Sequence, residues 1–432
     1  MKLNNNPLSM VTMSATPKVP DYLAEVPMSG EIPQSLLNIE NKERSNLFAW
    51  NGQFSPQLVE VLMREYSTAR STILDPFAGS GTVLYEAGRV GRCAMASEIN
   101  PSACCLARAY EFVNIQPQTR TRHLETVEQI VSRASELELT DPAACHDALV
   151  ESAFSTQSAS QRILLEALIV LVDFQRVRAG EPLIANVWRK LKFVIQNLPY
   201  SEKNLKVFNC DARALPIEDR SVELVITSPP YINVFNYHQQ YRASAEGLGW
   251  NLLTVAKSEI GSNRKHRANR FLTVIQYCLD ITIVLCELSR VCKPSARVVF
   301  VVGRESRVRG VPFFNGELAA RLATGSTDLR LSHRQERVFK NRFGENIVED
   351  ILHLTRRRSS KTSDLFGTSD ARAIAKTVLE RALQGAEGEV AADIEEAIAS
   401  VPNVEPSPMY TSQDARTDKL GDTDAVPHAA LG

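Results

Sequence analysis

Several features are missing from this 432-residue sequence, and each absence narrows what the protein can do. The eight cysteines form no Cys-x-x-Cys pair, which argues against a zinc site. No run of about 18 apolar residues is free of charge, so no membrane-spanning helix is expected. The first residues also lack a cationic start followed by an apolar stretch. With 44% hydrophobic residues, we expect a cytoplasmic protein with a large core.

A strong excess of either charge is also missing, because the net charge is only −1. The even total hides a segregation along the chain. Residues 257–310 contain 11 Lys and Arg against 4 Asp and Glu, whereas residues 359–432 contain 6 against 13. A charge run is usually a solvated face, but a basic stretch is also typical of a surface that binds nucleic acid.

The order of apolar segments predicts an α/β fold. Helical and strand-like segments alternate, which implies a mostly parallel Rossmann-like sheet with helices on both faces. The predicted strands are 71–74, 92–96, 206–209, 222–227 and 296–303, with a last antiparallel strand at 346–355. Ligands of such sheets bind at the carboxyl ends of the strands.

Composition divides the chain into five predicted regions. They are a flexible N-terminal arm (1–40), a cofactor-binding half (41–114), a helical insertion (115–203), a catalytic half with basic segments (204–358) and an acidic, largely disordered tail (359–432). One isolated helix is plausible in the tail, at about 371–383.

The first motif is a glycine turn after the first strand, Asp75-Pro-Phe-Ala-Gly-Ser-Gly-Thr82. Two glycines let the backbone turn out of a strand and approach a ligand closely. The spacing lacks the third glycine of a dinucleotide fingerprint, no Lys follows as in a phosphate-binding loop, and an acidic residue leads. The turn therefore favours S-adenosylmethionine, whose sulfonium and amino groups are cationic, over other Rossmann-type cofactors. No metal is expected.

Acidic residues at further strand ends complete the predicted cofactor site. Glu98 follows Asp75 by 23 residues, near the offset at which a carboxylate binds ribose hydroxyls. Ile99 can lie against adenine, and Asp211 can accept a hydrogen bond from the adenine amino group. The full predicted set is Phe54, Asp75, Phe77, Ala78, Gly79, Ser80, Gly81, Thr82, Glu98, Ile99, Asp211 and Ala212. Taken singly, each carboxylate could equally be a helix cap or a turn residue.

The second motif is a proline corner, Ser228-Pro229-Pro230-Tyr231, at the end of the strand 222–227. The Ser228 hydroxyl and the Pro229 carbonyl are acceptors suited to the hydrogens of an exocyclic amine, and two prolines fix the backbone. Tyr231 supplies an aromatic face for a flipped-out base. The alternative is an ordinary strand followed by a proline turn.

Through the glycine turn and the proline corner, the sequence resembles the DNA amino-methyltransferases, which modify the exocyclic nitrogen of cytosine or adenine. The resemblance spans most of residues 45–355 outside the insertion. It rests on the segments 52–56, 75–82, 97–101, 211–216, 227–231 and 288–303. It implies the family's fold and cofactor, double-stranded DNA as substrate, and a restriction-modification setting in which a cognate endonuclease is a possible partner.

Ser at the first corner position is commonest among the cytosine-N4 enzymes of that family, so N4-cytosine is favoured over N6-adenine. No Pro-Cys dipeptide occurs, so methylation at a ring carbon through a thiolate is disfavoured. Methylation of an RNA or protein amine, and a non-catalytic DNA-binding subunit, remain alternatives. The predicted DNA contacts are Tyr237, Arg264, Lys265, Arg267, Arg270 and Arg304, although each basic residue could instead form a surface salt bridge.

Overall fold

A computed structural model describes residues 19–138, 141–173, 183–232, 237–261, 266, 268–341, 343–356 and 368–416. Its strands are β1 (Thr72–Asp75), β2 (Cys93–Ser97), β3 (Leu205–Phe208), β4 (Val222–Thr227), β5 (Cys292–Gly303), β6 (Glu305–Val308), β7 (Val311–Phe314), β8 (Leu329–Lys340) and β9 (Asn346–Arg356). Apolar β-branched runs such as that of β5 suit strands buried on both faces.

Seven of these strands form one sheet in the order β3-β2-β1-β4-β5-β9-β8. Strands β1 to β5 pair in parallel, and β9 runs antiparallel to both β5 and β8. This confirms the predicted Rossmann-like fold, including the antiparallel strand near the sheet edge. The edge strand β8 was not predicted, nor was the β6–β7 hairpin. Strand β8 is rich in charged residues and has only a weak apolar alternation.

The strand order reverses between β1 and β4. From β1 the chain proceeds outward to β2 and β3, and then returns to place β4 on the other side of β1. Crossover connections leave in opposite directions at such a point, so a crevice opens at the carboxyl ends of the two central strands. The glycine turn follows β1 and the proline corner follows β4, so both motifs lie at this crevice.

The helices are α1 (Asp21–Ala24), α2 (Gln34–Asn38), α3 (Pro56–Tyr66), α4 (Thr82–Val90), α5 (Pro101–Arg108), α6 (Pro117–Glu138), α7 (Pro142–Ser155), α8 (Ala159–Val172), α9 (Leu183–Gln196), α10 (Arg242–Gly247), α11 (Leu252–Ser258), α12 (Leu272–Val291), α13 (Asn315–Ser326), α14 (Thr368–Leu383) and α15 (Gly388–Ser400). Short 3-10 helices occupy Ala109–Asn114, Tyr237–Gln239 and Val401–Asn403. Pro56 and Pro101 each occupy the first turn of a helix, where the missing N–H costs nothing.

Helix α12 is apolar enough to span a bilayer by length and composition, but 78% of its most apolar window is buried within the fold. It packs against the sheet beside β4 and β5, as the core helix of an α/β domain does. The residues 115–203 contain the four helices α6 to α9, which share a core with β1, β2 and α5. Arg120 is buried there and donates to the backbone carbonyls of Leu198 and Pro199, among others.

The chain ends depart from the sequence expectation. Leu23, Ile32 and Leu37 in the supposed flexible arm are buried. The tail was expected to be largely disordered, which is wrong for residues 368–416: α14 packs on α12 and α13, and Tyr410 is buried. Its two helices bury alanines together with a few larger apolar residues at helical spacing, a pattern that overall hydrophobicity does not reveal.

Candidate active site

The ends of β1, β2, β3 and β4 enclose a single cleft of about 880 Å³, part of which is open to solvent. Its walls combine both motifs with segments distant in sequence. The lining residues are Trp50, Asn51, Gly52, Gln53, Phe54, Pro76, Phe77, Ala78, Gly79, Ser80, Thr82, Glu98, Ile99, Asn100, Asp211, Ala212, Ser228, Pro230, Tyr237, Ser258, Glu259 and Ile260. Ten of the twelve predicted cofactor residues are among them, whereas Asp75 and Gly81 lie behind the wall.

The two glycines of the turn serve different purposes. Gly79 has φ +51° and its N–H donates to Glu98 Oε2 over 2.8 Å, so the turn is joined to the end of β2. A side chain on Gly79 would meet the Trp50 ring at 3.2 Å, across the cleft wall. Gly81 has φ +90°, and a Cβ there would lie 2.8 Å from the Tyr110 ring. Gly81 is therefore needed for helix packing, and Gly79 for the shape of the cleft.

Asp75 connects the two motifs. Its Oδ1 accepts a 2.7 Å hydrogen bond from the Thr227 hydroxyl, immediately before the proline corner, and a second from the Phe77 N–H. The side chain is buried, and burial raises the pKa of Asp75 to about 7 despite these two hydrogen bonds.

Glu98 is held by two backbone N–H groups, those of Gly79 and Asn100, each 2.8 Å from one carboxylate oxygen. Burial raises the pKa of Glu98 to about 7, and the negative charges of Asp75 and Glu259 add to this shift. Each carboxylate oxygen has two lone pairs, so Glu98 retains capacity to accept hydrogen bonds from hydroxyl groups in the cleft.

Asp211 lines the cleft and is paired with Arg213, which it shares with Asp280. Arg213 donates to both of its oxygens, and the Tyr410 N–H donates to Oδ2 over 2.9 Å. Arg213 also binds the carbonyls of Ser407 and Pro408. The segment 405–415, here called the C-terminal strap, thus packs behind the wall formed by the end of β3.

The strap also reaches the end of β2 through a side-chain relay. The Tyr410 hydroxyl donates to Asn209 Oδ1 over 2.6 Å, and the amide of Asn209 donates to the carbonyls of Glu98 and Ile99. No feature of the sequence linked Tyr410 to the glycine turn, because the two are separated by more than 300 residues and joined only by the fold.

In the proline corner, Ser228 and Pro230 line the cleft, whereas Pro229 is buried. Tyr231 packs beside Gly303, and its hydroxyl lies 3.2 Å from the Ser228 hydroxyl. Burial raises the pKa of Tyr231 to about 12. Tyr231 does not line the cleft, so its expected stacking on a base stays a prediction, and Tyr237 is the tyrosine in the cleft wall.

The structure describes only some of the predicted DNA contacts. Arg264, Lys265 and Arg267 lie outside the described residues. Arg304 is 3% exposed and forms salt bridges with Asp350 at 2.6 Å and Glu336 at 2.9 Å, so the expectation that it faces DNA is corrected. Arg304 does follow the end of β5, but its salt bridges to Glu336 on β8 and Asp350 on β9 hold the guanidinium inside the fold.

Sequence reasoning missed two walls of the cleft. Trp50, Asn51 and Gln53 cover the glycine turn, and the Gln53 amide donates to the Ser80 hydroxyl. Glu259 and Ile260 close the opposite side. An aromatic residue just before the motif at 52–56 was an available signal for Trp50. Glu259 gave no signal, since a lone acid in a basic stretch is normally a surface residue.

With the cleft established, similarity to known proteins becomes informative. Residues 26–109, which contain the glycine turn and Glu98, match the family model described as DNA methylase. This match supports a relationship of the chain to the DNA amino-methyltransferases. The chain is 33% identical over 73 residues to the Type II methyltransferase M.MjaII of Methanocaldococcus jannaschii. That alignment covers 16% of this chain and 14% of the relative, so it extends over only a small part of each protein.

Two solved structures resemble this chain over more of its length, but weakly. A SAM-dependent methyltransferase from Methanosarcina mazei is 12% identical, with 69% of this chain and 98% of that chain covered and a TM-score of 0.32. A SAM-dependent methyltransferase from Aquifex aeolicus is 13% identical, with 70% and 99% covered and a TM-score of 0.26. Both TM-scores are low, so the description of the fold rests on the sheet order of this chain itself.

Proposed function

We propose that this chain is a DNA methyltransferase that transfers a methyl group from S-adenosylmethionine to the exocyclic N4 amine of a flipped-out cytosine. The observation that carries the proposal is the shared cleft: Gly79 of the glycine turn, Glu98 at the end of β2, and Ser228 and Pro230 of the proline corner line the same cavity. A methyl donor and an amine acceptor bound at these groups would meet within one site.

The chemistry of the cleft fits the cofactor. Glu98 can accept from ribose hydroxyls, Ile99 and Ala212 offer apolar contact for adenine, and the turn at Gly79 leaves room for the amino-acid portion. Asp211 lines the same cleft, but each of its oxygens already accepts two hydrogen bonds, from Arg213 and from the Tyr410 N–H, so it shapes the wall and does not serve as the acceptor for an adenine amino group. When bound, S-adenosylmethionine supplies a methyl group activated by a sulfonium.

The proline corner acts on the amine. Its nitrogen lone pair is delocalised into the ring, so acceptors aimed at the amine hydrogens favour the pyramidal nitrogen of the transition state. Ser228 lines the cleft and can accept such a hydrogen, and its hydroxyl is oriented by Tyr231 over 3.2 Å. Ser rather than Asp at this position supports cytosine, by resemblance to the N4 enzymes.

The test is mass spectrometry of nucleosides from unmodified DNA incubated with the full chain and S-adenosylmethionine. We expect N4-methylcytosine. N6-methyladenine would retain the enzyme class and overturn the base assignment, whereas methylation of RNA alone, or of no nucleic acid, would overturn the proposal. Sequencing of the same DNA locates the mark and its surrounding bases. A role in a restriction-modification system is then tested by whether the marked site resists an endonuclease.

A matched pair of variants tests the corner. Ser228→Ala should lower single-turnover methyl transfer by about 10²-fold, the usual effect of removing one such hydrogen-bonding group. Cofactor affinity should change little. The control Ser155→Ala removes an exposed serine hydroxyl on α7 and should leave both values unchanged. Equal losses of transfer and of cofactor binding in Ser228→Ala would contradict the assigned role.

A further inference from the structure

Tyr410 of the C-terminal strap is bound to two residues that follow the end of β3. Its hydroxyl donates to Asn209 Oδ1 over 2.6 Å, and its N–H donates to Asp211 Oδ2 over 2.9 Å. Tyr410 is only 5% exposed, and hydrogen bonds shielded from water in this way are stronger than exposed ones. The strap is therefore fixed to the end of β3 both by its backbone and by one buried side chain.

Asn209 extends this contact from the strap to the end of β2. Its side-chain amide donates to the backbone carbonyls of Glu98 over 2.8 Å and of Ile99 over 3.3 Å, and both of these residues line the cleft. Carbonyl oxygens accept only from the NH2 group of the amide, which leaves Oδ1 to accept from the Tyr410 hydroxyl. Tyr410 thus holds the amide in the orientation that binds both carbonyls.

The ring of Tyr410 supports the same part of the cleft from a second side. It belongs to a small apolar cluster with Leu252 and Val255 of α11, and Ile99 packs against that cluster. Ser258, the last residue of α11, lines the cleft. The strap therefore contacts the ends of β2 and β3 and the helix α11, although none of the described lining residues belongs to the strap itself.

Building on the proposed function, we propose that the strap belongs to the cofactor site and that Tyr410 is a positioning residue for the nucleoside half of S-adenosylmethionine. Glu98 and Ile99 are the residues assigned to the ribose and the adenine, and Asn209 binds their backbone. The amino-acid half is assigned to the turn at Gly79. Loss of the Tyr410 hydroxyl should therefore weaken the binding of the nucleoside and leave the contribution of the amino-acid half unchanged.

The test is isothermal titration calorimetry on the full chain with two probes, S-adenosylmethionine and adenosine, which keeps the nucleoside and lacks the amino-acid half. Tyr410→Phe should weaken the binding of both probes by the same factor, about fivefold. The control Tyr200→Phe removes the hydroxyl of a tyrosine that is 45% exposed and should leave both affinities unchanged. A loss for S-adenosylmethionine without a matching loss for adenosine would overturn the assignment to the nucleoside half.

A double-mutant cycle tests whether Tyr410 acts through Asn209. Asn209→Ala removes the amide and should weaken the binding of both probes by about tenfold or more. In that background Tyr410→Phe should add less than about a twofold loss, because the hydroxyl has already lost its partner. Fully additive losses would overturn the relay, and thermal unfolding of each variant checks that the fold is intact.

Coupling between the strap and the cofactor is reciprocal, which gives an independent measurement. S-adenosylmethionine should slow amide hydrogen exchange in residues 405–415 of the wild-type chain, and this protection should shrink in Asn209→Ala. Exchange in the strap that does not respond to bound cofactor would overturn the inference while leaving the proposed function standing. Failure of S-adenosylmethionine to bind the wild-type chain would instead overturn the proposed cofactor.

Discussion

Replacing Asp75 with Asn should make the cofactor-free protein more stable at neutral pH. Both hydrogen bonds that Asp75 accepts, from the Thr227 hydroxyl and the Phe77 N–H, end on Oδ1. An asparagine oxygen can accept both, so the connection between the glycine turn and the proline corner survives. What the substitution removes is a carboxylate whose burial disfavours its charged form.

The size and pH range of the effect follow from the pKa of Asp75, raised from 3.8 to about 7. Between these values the folded protein holds a proton that the unfolded chain releases, so wild-type stability falls as pH rises from about 4 to about 7. A shift of roughly three units corresponds to at most about 4 kcal/mol. The variant lacks this titrating group, so the difference in free energy of unfolding between Asp75→Asn and wild type should grow through this range and level off above pH 7.

The assay is thermal and denaturant unfolding of both proteins, without cofactor, from pH 4.5 to 8.5. Asp147→Asn is the control, because Asp147 is an exposed carboxylate with its side chain 84% accessible, and its difference from wild type should be small and flat with pH. In Asp75→Asn we also expect weaker binding of S-adenosylmethionine, since one nearby negative charge is lost. A variant that is less stable at every pH, or whose difference does not change with pH, would refute the reasoning.

Three further substitutions test the packing around the site. Tyr410→Phe removes the hydrogen bond to Asn209 behind the cleft wall and should weaken S-adenosylmethionine binding about fivefold in calorimetry, equivalent to about 1 kcal/mol. An unchanged affinity would show that the strap does not support the site. Gly81→Ala should lower the free energy of unfolding by about 1–3 kcal/mol, because the new Cβ would overlap the buried Tyr110 ring. The control Gly91→Ala has the same left-handed backbone but open space around it, so its loss should be smaller. Equal losses would contradict the overlap. Arg304→Met should destabilise the fold by about 3–5 kcal/mol, because it leaves Asp350 unpaired. The salt dependence of DNA binding should not change. A weaker dependence of DNA affinity on salt concentration would show that Arg304 contacts a phosphate after all.

The parts of the site that could be predicted are those whose signal is local. A strand followed by a glycine turn, or by two prolines, fixes both the conformation and its position at a strand end. The predicted parallel sheet then brings Gly79 and Ser228 to one crevice without any further information. Glu98 could be predicted for the same reason, since the distance from Asp75 is set by one helix and one strand.

The parts that could not be predicted depend on contacts between distant segments. Glu259 lines the cleft two residues before Gly261, whose backbone packs against the Tyr231 carbonyl. Tyr410 lies behind the end of β3, in the strap whose carbonyls bind Arg213. Neither contact follows from periodicity or composition. The acidic tail was misread for a related reason: it folds back on the domain, where Asp393 pairs with Arg309 and Glu396 accepts a hydrogen bond from Asn269.

Those internal partners also change the meaning of the charge segregation. Of the basic stretch 257–310, Arg290 pairs with Glu287, Arg304 with Asp350, and Arg309 with Asp393 of the folded tail. An ion-paired arginine has little left to offer a phosphate, because binding DNA would require breaking the existing pair. The excess of positive charge in this stretch therefore does not translate directly into a DNA-binding surface. The predicted phosphate contacts that remain are the basic residues of the segment 264–270. This segment closely follows Gly261, which packs against the proline corner.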